Sequence, residues 1–351
     1  MKIGHIAPIN FNIPNGRSGP TQIFVNLNEG LAQINPQLTV FACKNSRVSG
    51  DLKYIFDCEL NSLPEFERSD RMLRGLFLME HVAQAYQDRQ NVDIYLSHQS
   101  VWGVPVASLI KDRPTVTIIH NITPDLFRQL KHFNAPHLHF VCQSEAIAAV
   151  LRQQIDNVSV IHNGLDLQSI KPAAHKKDYF LYLGRLTAPK GLDIAIDICL
   201  KKKKKLIIIG KPVLTEAEHA KYFQEEIEPR LKNELITYIP EVEHAKVYDF
   251  YREARALIFP MRDYTRECLP MTVPESLACG TPVLSLKNPL SREIITDGKT
   301  GFLAESSEEL ADDLDKVDEL KPQDCRAAAE KEFSREVMAQ RYRQLLERSA
   351  K

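Results

Sequence analysis

The sequence predicts an α/β protein built from two Rossmann-like domains, each with a doubly wound parallel sheet. Three observations support this prediction. The chain has 351 residues, a length that suits two domains of ordinary size. Short apolar segments alternate with amphipathic helical patterns along its whole length. Several of these segments lack polar alternation, as expected for parallel strands covered on both faces.

The composition excludes several classes of protein. Apolar residues make up 44% of the chain, which supports two hydrophobic cores and excludes a disordered chain. The 45 basic and 46 acidic residues give a net charge of −1, so we expect no nucleic-acid partner. The seven scattered cysteines include no CxxC pair and are typical of reduced thiols. Because we find no signal peptide and no apolar run that could cross a bilayer, we expect a cytoplasmic protein. Peripheral membrane contact stays open.

The first half of the chain contains six apolar segments that we predict as strands. The clearest helical pattern between them spans residues 70–88, where apolar side chains recur on one stripe at helical spacing. We assign this half, residues 1–170, to an N-terminal Rossmann-like domain. The predicted strands are residues 3–8, 38–43, 92–98, 115–120, 137–142 and 158–162.

The second half repeats the same alternation and predicts a second domain over residues 171–333. The polar segment 169–177 has no periodicity and is interpreted as the linker. Ser334 is a favourable N-cap for a last helix, whose apolar face predicts docking on another element. The predicted strands are residues 178–184, 205–210, 235–239, 255–260 and 281–286, with helices near 190–200, 215–230, 243–254 and 273–279. We interpret the run Lys201–Lys205 as a solvated surface feature.

The first chemical motif is GRLTAPKG, residues 184–191, directly after a predicted strand. It places Arg185 and Lys190 on either side of a predicted helix start. Two cations and unpaired backbone N–H groups suit a diphosphate and could stabilise its departure without a metal ion. A structural role fits equally well: Lys190 would open the helix, and Arg185 would pair with a surface acid.

The second motif is RECLPMTVPESLACGTPVL, residues 266–284, in which Glu267 and Glu275 form an E-x7-E pattern. A carboxylate can accept hydrogen bonds from both hydroxyls of a ribose or a sugar diol. Acids are also favoured near the start of a helix on electrostatic grounds alone. The E-x7-E spacing alone is a weak indication of function. It becomes a specific one because the segment SLACGTPV follows it directly.

In combination, these motifs and DGKTGFL at 297–303 resemble the retaining nucleotide-sugar glycosyltransferases of family 4. The first half also resembles that family, in the segments IPNGRSGPTQ (13–22), TIIHN (117–121), VCQSEAIAAVL (141–151) and VIHNGLDL (160–167). The resemblance implies the GT-B architecture, in which two Rossmann-like domains face a central cleft. It also implies that the C-terminal helix, residues 334–351, crosses back to the N-terminal domain.

The resemblance implies roles for individual residues. Arg185 and Lys190 would hold the donor diphosphate, and Glu275 would hold the ribose. Gly19 would allow the first loop to approach the diphosphate. The implied catalytic residues are Glu267, which would face the transferred sugar, and His120, which would contact it. The residues expected in the cleft near the sugar are Asn163, Leu269, Pro270, Met271, Thr272 and His98.

The implied reaction is transfer of a hexose from a nucleotide diphosphate sugar to an acceptor hydroxyl, with retention at the anomeric carbon. Neither a metal ion nor a bound cofactor is expected. A UDP-sugar or a GDP-sugar would be the donor. The acceptor, held by the N-terminal domain, would be a glycan, a lipid-linked sugar or a small molecule.

Several positions depart from the family pattern. The first loop has Gly-Pro-Thr-Gln at 19–22 where Gly-Gly-x-Glu is usual, so Pro20 offers no N–H and Gln22 no charge. Asn121, Pro240 and Cys268 replace a usual Asp, Gly and Gly. Two alternatives therefore stand at this point. One is a weak or silent relative that binds a nucleotide sugar or a glycan, and the other is an epimerase or phosphorylase on the same fold.

Overall fold

The computed structural model describes residues 1–14, 19–63, 71–120, 128–173, 175–265 and 267–351. The chain divides into two compact units. Unit 1 comprises Met1–Leu165, Arg266–Leu269 and Ser334–Lys351, and unit 2 comprises Asp166–Thr265 and Pro270–Phe333. Each unit is built around its own parallel sheet.

Unit 1 contains a seven-stranded parallel sheet in the order β3-β2-β1-β4-β5-β6-β7. The inner strands β1 and β4 are buried at every position, as expected where helices cover both faces of a parallel sheet. The strands are β1 (Ile3–Ile6), β2 (Leu38–Phe41), β3 (Asp51–Lys53), β4 (Ile94–Ser97), β5 (Thr115–Ile118), β6 (Leu138–Cys142) and β7 (Val158–Val160).

Helices cover this sheet through two separate apolar clusters, as in a doubly wound fold. One cluster contains side chains of α2, α3 and α4, and the other contains side chains of α1 and α12. The helices in the described residues are α1 (Gly19–Ile34), α2 (Arg71–Gln87), α3 (Ser100–Leu109), α4 (Glu145–Leu151) and α12 (Arg335–Ser349).

The last helix, α12, packs on α1 of unit 1. The Ser334 hydroxyl accepts a hydrogen bond from the Val337 N–H at 3.1 Å, which confirms the predicted N-cap. Gly30 of α1 is so close that a Cβ atom there would lie 2.8 Å from the Cβ of Ala339. The predicted apolar face is confirmed by the burial of Met338, Tyr342, Leu345 and Leu346.

Unit 2 contains a six-stranded parallel sheet in the order β10-β9-β8-β11-β12-β13. Side chains of α5 and α10 pack against its strands in an apolar cluster. The strands are β8 (Phe180–Leu183), β9 (Leu206–Ile209), β10 (Ile236–Ile239), β11 (Leu257–Phe259), β12 (Val283–Leu286) and β13 (Gly301–Ala304). The helices are α5 (Leu192–Lys201), α6 (Ala217–Tyr222), α7 (His244–Glu253), α8 (Thr272–Ala278), α9 (Pro289–Ile294), α10 (Ser307–Lys316) and α11 (Pro322–Glu332).

The two parallel sheets confirm the predicted α/β fold class. The sequence prediction missed β3 and β13. Two lysines of the run pair with acids: Lys202 lies 2.7 Å from Asp312 and 3.1 Å from Asp315, and Lys204 lies 2.8 Å from Asp315. This pairing confirms the surface interpretation of Lys201–Lys205.

Two features bear on the chemistry of the chain. The seven cysteines are free thiols, and six of them are buried. Among the described helices, none combines the length and the apolar character that crossing a bilayer requires.

Candidate functional site

The GRLTAPKG segment of unit 2 forms a tight turn at the carboxyl ends of β8 and β9. A Cβ atom on Gly210 would lie 1.9 Å from the carbonyl oxygen of Gly184, so the two strand ends meet without room for a side chain. Gly191 ends a short 3-10 turn, Ala188–Lys190, with a left-handed φ of +72°. A Cβ atom there would lie 2.2 Å from the carbonyl oxygen of Pro260. Glycine is therefore required at Gly191 to pack this turn against the end of β11.

This turn carries both cations that the sequence selected. Arg185 directly follows Gly184 and is exposed. Lys190 is half-buried, and its ammonium nitrogen lies 3.9 Å from the sulfur of Met261. Both therefore lie at the carboxyl edge of the sheet, where ligands bind in folds of this class.

A partly exposed ion pair holds the turn against the segment after β11. The Arg262 guanidinium forms two hydrogen bonds to the carboxylate of Asp193, at 2.6 and 2.5 Å. Its backbone N–H donates to the Pro189 carbonyl at 2.9 Å. Burial opposes ionisation of Asp193, but hydrogen bonds from Arg262 and Tyr222 lower its pKa. Arg262 is thus committed to the fold. Sequence reasoning missed it, although its position just after a strand was an available signal.

Glu275 of the E-x7-E motif lies on α8, near the same edge of unit 2. The Tyr251 hydroxyl of α7 donates to its carboxylate at 3.0 Å. Burial raises the pKa of Glu275 to about 7, although the hydrogen bond from Tyr251 lowers it. Pro274 occupies the first turn of α8, where its missing N–H is tolerated because first-turn donors have no partner within the helix.

The two glutamates of the motif belong to different units. The segment through Leu269 belongs to unit 1, whereas Pro270 begins the next part of unit 2. Glu267 is partly buried, and its neighbour Cys268 packs in the apolar cluster of α2, α3 and α4. Burial raises the pKa of the Cys268 thiol to about 12, so this thiol serves packing rather than nucleophilic chemistry.

The residues between the glutamates lead into α8. Leu269 is buried at 7% exposure, and Pro270 is buried too. Met271 and Thr272 are partly buried, and the Met271 carbonyl accepts the Glu275 N–H at 2.9 Å. The Thr272 hydroxyl oxygen is buried without a hydrogen-bond partner in the described part of the chain.

In unit 1, two histidines meet at the carboxyl ends of the neighbouring strands β4 and β5. His98 Nδ1 lies 3.0 Å from His120 Nε2. His98 is only 4% exposed, whereas His120 is partly exposed. Burial lowers the pKa of His120 to about 4, and it lowers the pKa of His98 as well. Both imidazoles are therefore neutral at pH 7.

The other selected residues of unit 1 lie on different elements. Gly19 is exposed and begins α1, and Pro20 occupies the first turn of that helix. Asn163 is 3% exposed and precedes Gly164, whose packing against Ser334 leaves no room for a Cβ atom. Residues 15–18 of the first loop and Asn121 lie outside the described residues.

The described residues contain no group of three or more side chains suited to a metal ion. Among these residues, unit 2 provides charged side chains and unit 1 provides neutral imidazoles. Fixed cations with a diol-binding carboxylate can bind a nucleotide diphosphate, and neutral imidazoles can bind hydroxyl groups.

Two family models match consecutive parts of the chain. The model described as Glycosyltransferase Family 4 matches residues 17–169, and the model described as Glycosyl transferases group 1 matches residues 166–332. A curated relative, D-inositol 3-phosphate glycosyltransferase of Paenarthrobacter aurescens, is 26% identical over 184 residues, covering 46% of this chain and 44% of the relative. The chain thus aligns with less than half the length of that relative.

Solved structures share the whole fold. Sucrose-phosphate synthase of Thermosynechococcus elongatus matches with a TM-score of 0.78 and 14% identity, over 99% of both chains. HepE of Anabaena, solved in complex with UDP-glucose, matches with a TM-score of 0.72 and 17% identity, over 99% of this chain and 100% of HepE. These matches confirm the GT-B fold. The two family models together span residues 17–332, and they show that this chain belongs to the glycosyltransferases of the family 4 type.

Proposed function

We propose that this protein transfers a hexose from a nucleotide diphosphate sugar to an acceptor hydroxyl, with retention at the anomeric carbon and without a metal ion. The observation that carries the proposal is the pairing, within unit 2, of a two-cation turn with a diol-binding glutamate. Arg185 and Lys190 lie on the turn after β8, and Glu275 lies on α8. This combination suits the two polar parts of a nucleotide, its diphosphate and its ribose.

The cations support a reaction in which the diphosphate leaves with its bonding electrons. The bond between the anomeric carbon and the phosphate oxygen breaks, and a bond to the acceptor oxygen forms on the same face of the sugar. The acceptor proton passes to the departing diphosphate. Two fixed cations can stabilise the charge that develops on that oxygen, which is the argument for metal independence.

Membership of the family supports retention and the roles of two residues of unit 1. Glu267 would face the transferred sugar, and His120 would contact one of its hydroxyls. A neutral imidazole suits a hydroxyl because it can donate one hydrogen bond and accept another. The remaining selected residues, from Leu269 to Thr272 with Asn163 and Gly19, would shape the surroundings of the sugar and diphosphate.

Comparisons guide the choice of donor and acceptor to test first. HepE was solved with UDP-glucose, which favours uridine as the first base to test. The curated relatives are named for an inositol phosphate acceptor and for an O-antigen chain. We therefore expect a glycan, a lipid-linked sugar or a small polyol as acceptor. The free thiols favour a reducing compartment such as the cytoplasm.

A second candidate is a silent relative that binds a nucleotide sugar without turning it over. Pro20 favours it, because this residue removes an N–H from the first turn of α1. Pro240, which follows β10, and Gln22 are further departures from the family pattern.

A binding panel followed by a transfer assay separates the two candidates. Nucleoside diphosphates and their sugars would be screened by thermal shift in the presence of a chelator. A ligand at about 100 times its dissociation constant adds roughly 2.7 kcal/mol to the free energy of unfolding. A selective shift with release of nucleoside diphosphate upon acceptor addition supports transfer. A selective shift without turnover supports the silent relative, and absence of any shift contradicts both.

A further inference from the structure

The turn between β4 and α3 of unit 1 holds His120 by its side chain and by its main chain. His98 contacts the His120 imidazole, with Nδ1 and Nε2 3.0 Å apart and ring centroids 5.0 Å apart. The Ser100 hydroxyl accepts the His120 backbone N–H at 3.4 Å and donates to the Ile118 carbonyl at 3.0 Å. Two side chains of one turn thus converge on a single histidine.

The turn adopts an unfavourable backbone conformation to do this. Ser100 has a φ of +45°, one of two positive values at non-glycine residues in the described chain. A left-handed conformation is unfavourable for a residue with a side chain, so it persists only where the surroundings impose it. Here the turn is tied to β1, since His98 N–H donates to the Ile6 carbonyl at 3.0 Å and the Gln99 amide donates to the Ala7 carbonyl at 2.5 Å.

Buried groups behind His98 keep its ring in place. The rings of His5 and Phe24 each lie 5.1 Å from it, measured between centroids. His5 Nδ1 lies 3.0 Å from Asn28 Oδ1, while the Asn28 amide donates to the Ser49 carbonyl at 2.8 Å. The Asn28 oxygen therefore faces His5, so His5 carries its hydrogen on Nδ1. Neutral aromatic rings thus pack against His98 on this side.

The contact between His98 and His120 has two possible polarities, because each neutral imidazole carries one hydrogen. His98 Nε2 is buried without a hydrogen-bond partner among the described residues. If that atom carried the hydrogen, an N–H group would be buried unpaired. Unpaired N–H groups are rarer in protein interiors than unsatisfied acceptors. The favoured arrangement therefore places the His98 hydrogen on Nδ1.

We propose that His98 is a positioning residue: it donates a hydrogen bond from Nδ1 to His120 Nε2 and holds His120 in the tautomer with its hydrogen on Nδ1. Ser100 fixes the backbone of the same residue. His120 then offers an N–H donor, in a set orientation, to a hydroxyl oxygen of the transferred sugar. This last step rests on the proposed function, whereas the tautomer is a property of the free protein.

The first test reads the tautomer directly. Two-bond proton–nitrogen NMR spectra of histidine-labelled full-length protein would be recorded without ligand, and His120 would be assigned by its loss in His120→Gln. We expect the hydrogen on His120 Nδ1. A wild-type spectrum with the hydrogen on Nε2 overturns the proposal, and this reading needs neither turnover nor a variant of His98.

The second test uses a pair of substitutions. In His98→Asn the side-chain amide nitrogen can occupy the place of Nδ1 and still donate, whereas His98→Leu keeps the bulk and removes the donor. We expect His98→Leu to mix the His120 tautomers and lower kcat about tenfold, with KM for the nucleotide sugar within twofold. His98→Asn should keep the wild-type tautomer and stay within threefold in kcat.

A matched pair of variants controls for the general loss of a hydrogen-bonded, partly buried histidine. His139 of β6 is bonded to the Ser159 hydroxyl at 2.9 Å and lies outside the candidate site. His139→Leu and His139→Asn should leave kcat and the His120 tautomer unchanged. A folded His98→Leu protein with wild-type kcat and tautomer overturns the proposal. Wild-type protein that turns over no nucleotide sugar contradicts the proposed function instead, while the tautomer measurement still decides the role of His98.

Discussion

The two units differ in the side-chain charge that they carry at the carboxyl ends of their strands. In unit 1, histidines are buried and kept neutral, with the pKa of His5 and of His120 lowered to about 4 by burial. In unit 2, the turn carries two cations, and Glu275 is an acid whose pKa burial raises to about 7. Neutral imidazoles suit sugar hydroxyls, whereas fixed cations suit a diphosphate. The two units therefore differ in the kind of ligand group that each is suited to bind.

Removal of Glu267 should produce the largest effect on activity. If Glu267 faces the transferred sugar, Glu267→Ala should lower kcat by about 10²–10³-fold while the dissociation constant of the nucleoside diphosphate stays within twofold. Titration calorimetry and a nucleoside diphosphate release assay would measure the two quantities. Equal losses in binding and in transfer would indicate that Glu267 contacts the diphosphate and not the transferred sugar.

Two glycines test how tightly each unit builds its loop. Gly191→Ala should destabilise the protein by about 3 kcal/mol, because the residue is left-handed and its Cβ would lie 2.2 Å from the Pro260 carbonyl oxygen. Gly19→Ala is the matched control, since a Cβ atom there meets nothing within 4 Å, and it should change stability by less than about 0.5 kcal/mol. Urea denaturation of both variants checks this. Comparable losses would contradict the packing described around Gly191.

Most of the strands could be predicted from the sequence, whereas the close packing around Gly191 could not. The continuous apolar segments predicted eleven of the thirteen strands in the described part of the chain, because buried parallel strands need no polar alternation. β3 was missed because Asp51–Lys53 is a short, mostly polar strand at the edge of its sheet. β13 was missed because Gly301–Ala304 follows a turn-like DGKT segment and was treated only as a motif. The crowding at Gly191 depends on Pro260, which lies far along the chain, and leaves no local signal.

The sequence predicted which types of residue form the candidate site, but not the contacts between them. Placing polar residues after strands selected Arg185, His98 and His120, since ligands collect at that edge of the sheet. The contact between the two histidines follows from the pairing of β4 with β5, which is a tertiary property. The hydrogen bond from Tyr251 to Glu275 had no sequence signal, because a tyrosine in a helical pattern is usually part of the core.

Removing a cation should have a smaller effect, confined to binding. Arg185→Ala should weaken nucleoside diphosphate binding by about 10–100-fold, the cost of a charge-assisted contact to a phosphate. Arg230→Ala is the control, because Arg230 pairs with Asp197 and Glu226 on the surface of the same unit. Calorimetric titration of both variants measures the difference. Equal affinity of wild type and Arg185→Ala would remove Arg185 from the diphosphate site.

A pH dependence of stability should arise from the proton on Glu275. Its pKa is about 7 in the folded protein and near 4.5 in the unfolded chain, so the folded state binds the proton more tightly. The free energy of unfolding therefore falls as pH rises from about 4.5 to 7, by roughly 3 kcal/mol in total. The lowered pKa values of the buried histidines act in the opposite direction over an overlapping range, since their unfolded forms take up protons first.

The informative quantity is thus the difference between wild type and Glu275→Gln. The groups facing Glu275 are Tyr248 and Tyr251 of α7 and Cys279, whose raised pKa values place their titrations well above this range. Glu275→Gln should gain stability over wild type between pH 5 and 8, measured by urea denaturation. Binding of a nucleotide sugar should strengthen with pH up to about 7 in wild type only, because the ionised carboxylate accepts both ribose hydroxyls. A parallel pH dependence in the two proteins would show that the ribose is held elsewhere, leaving the cationic turn as the defining feature of unit 2.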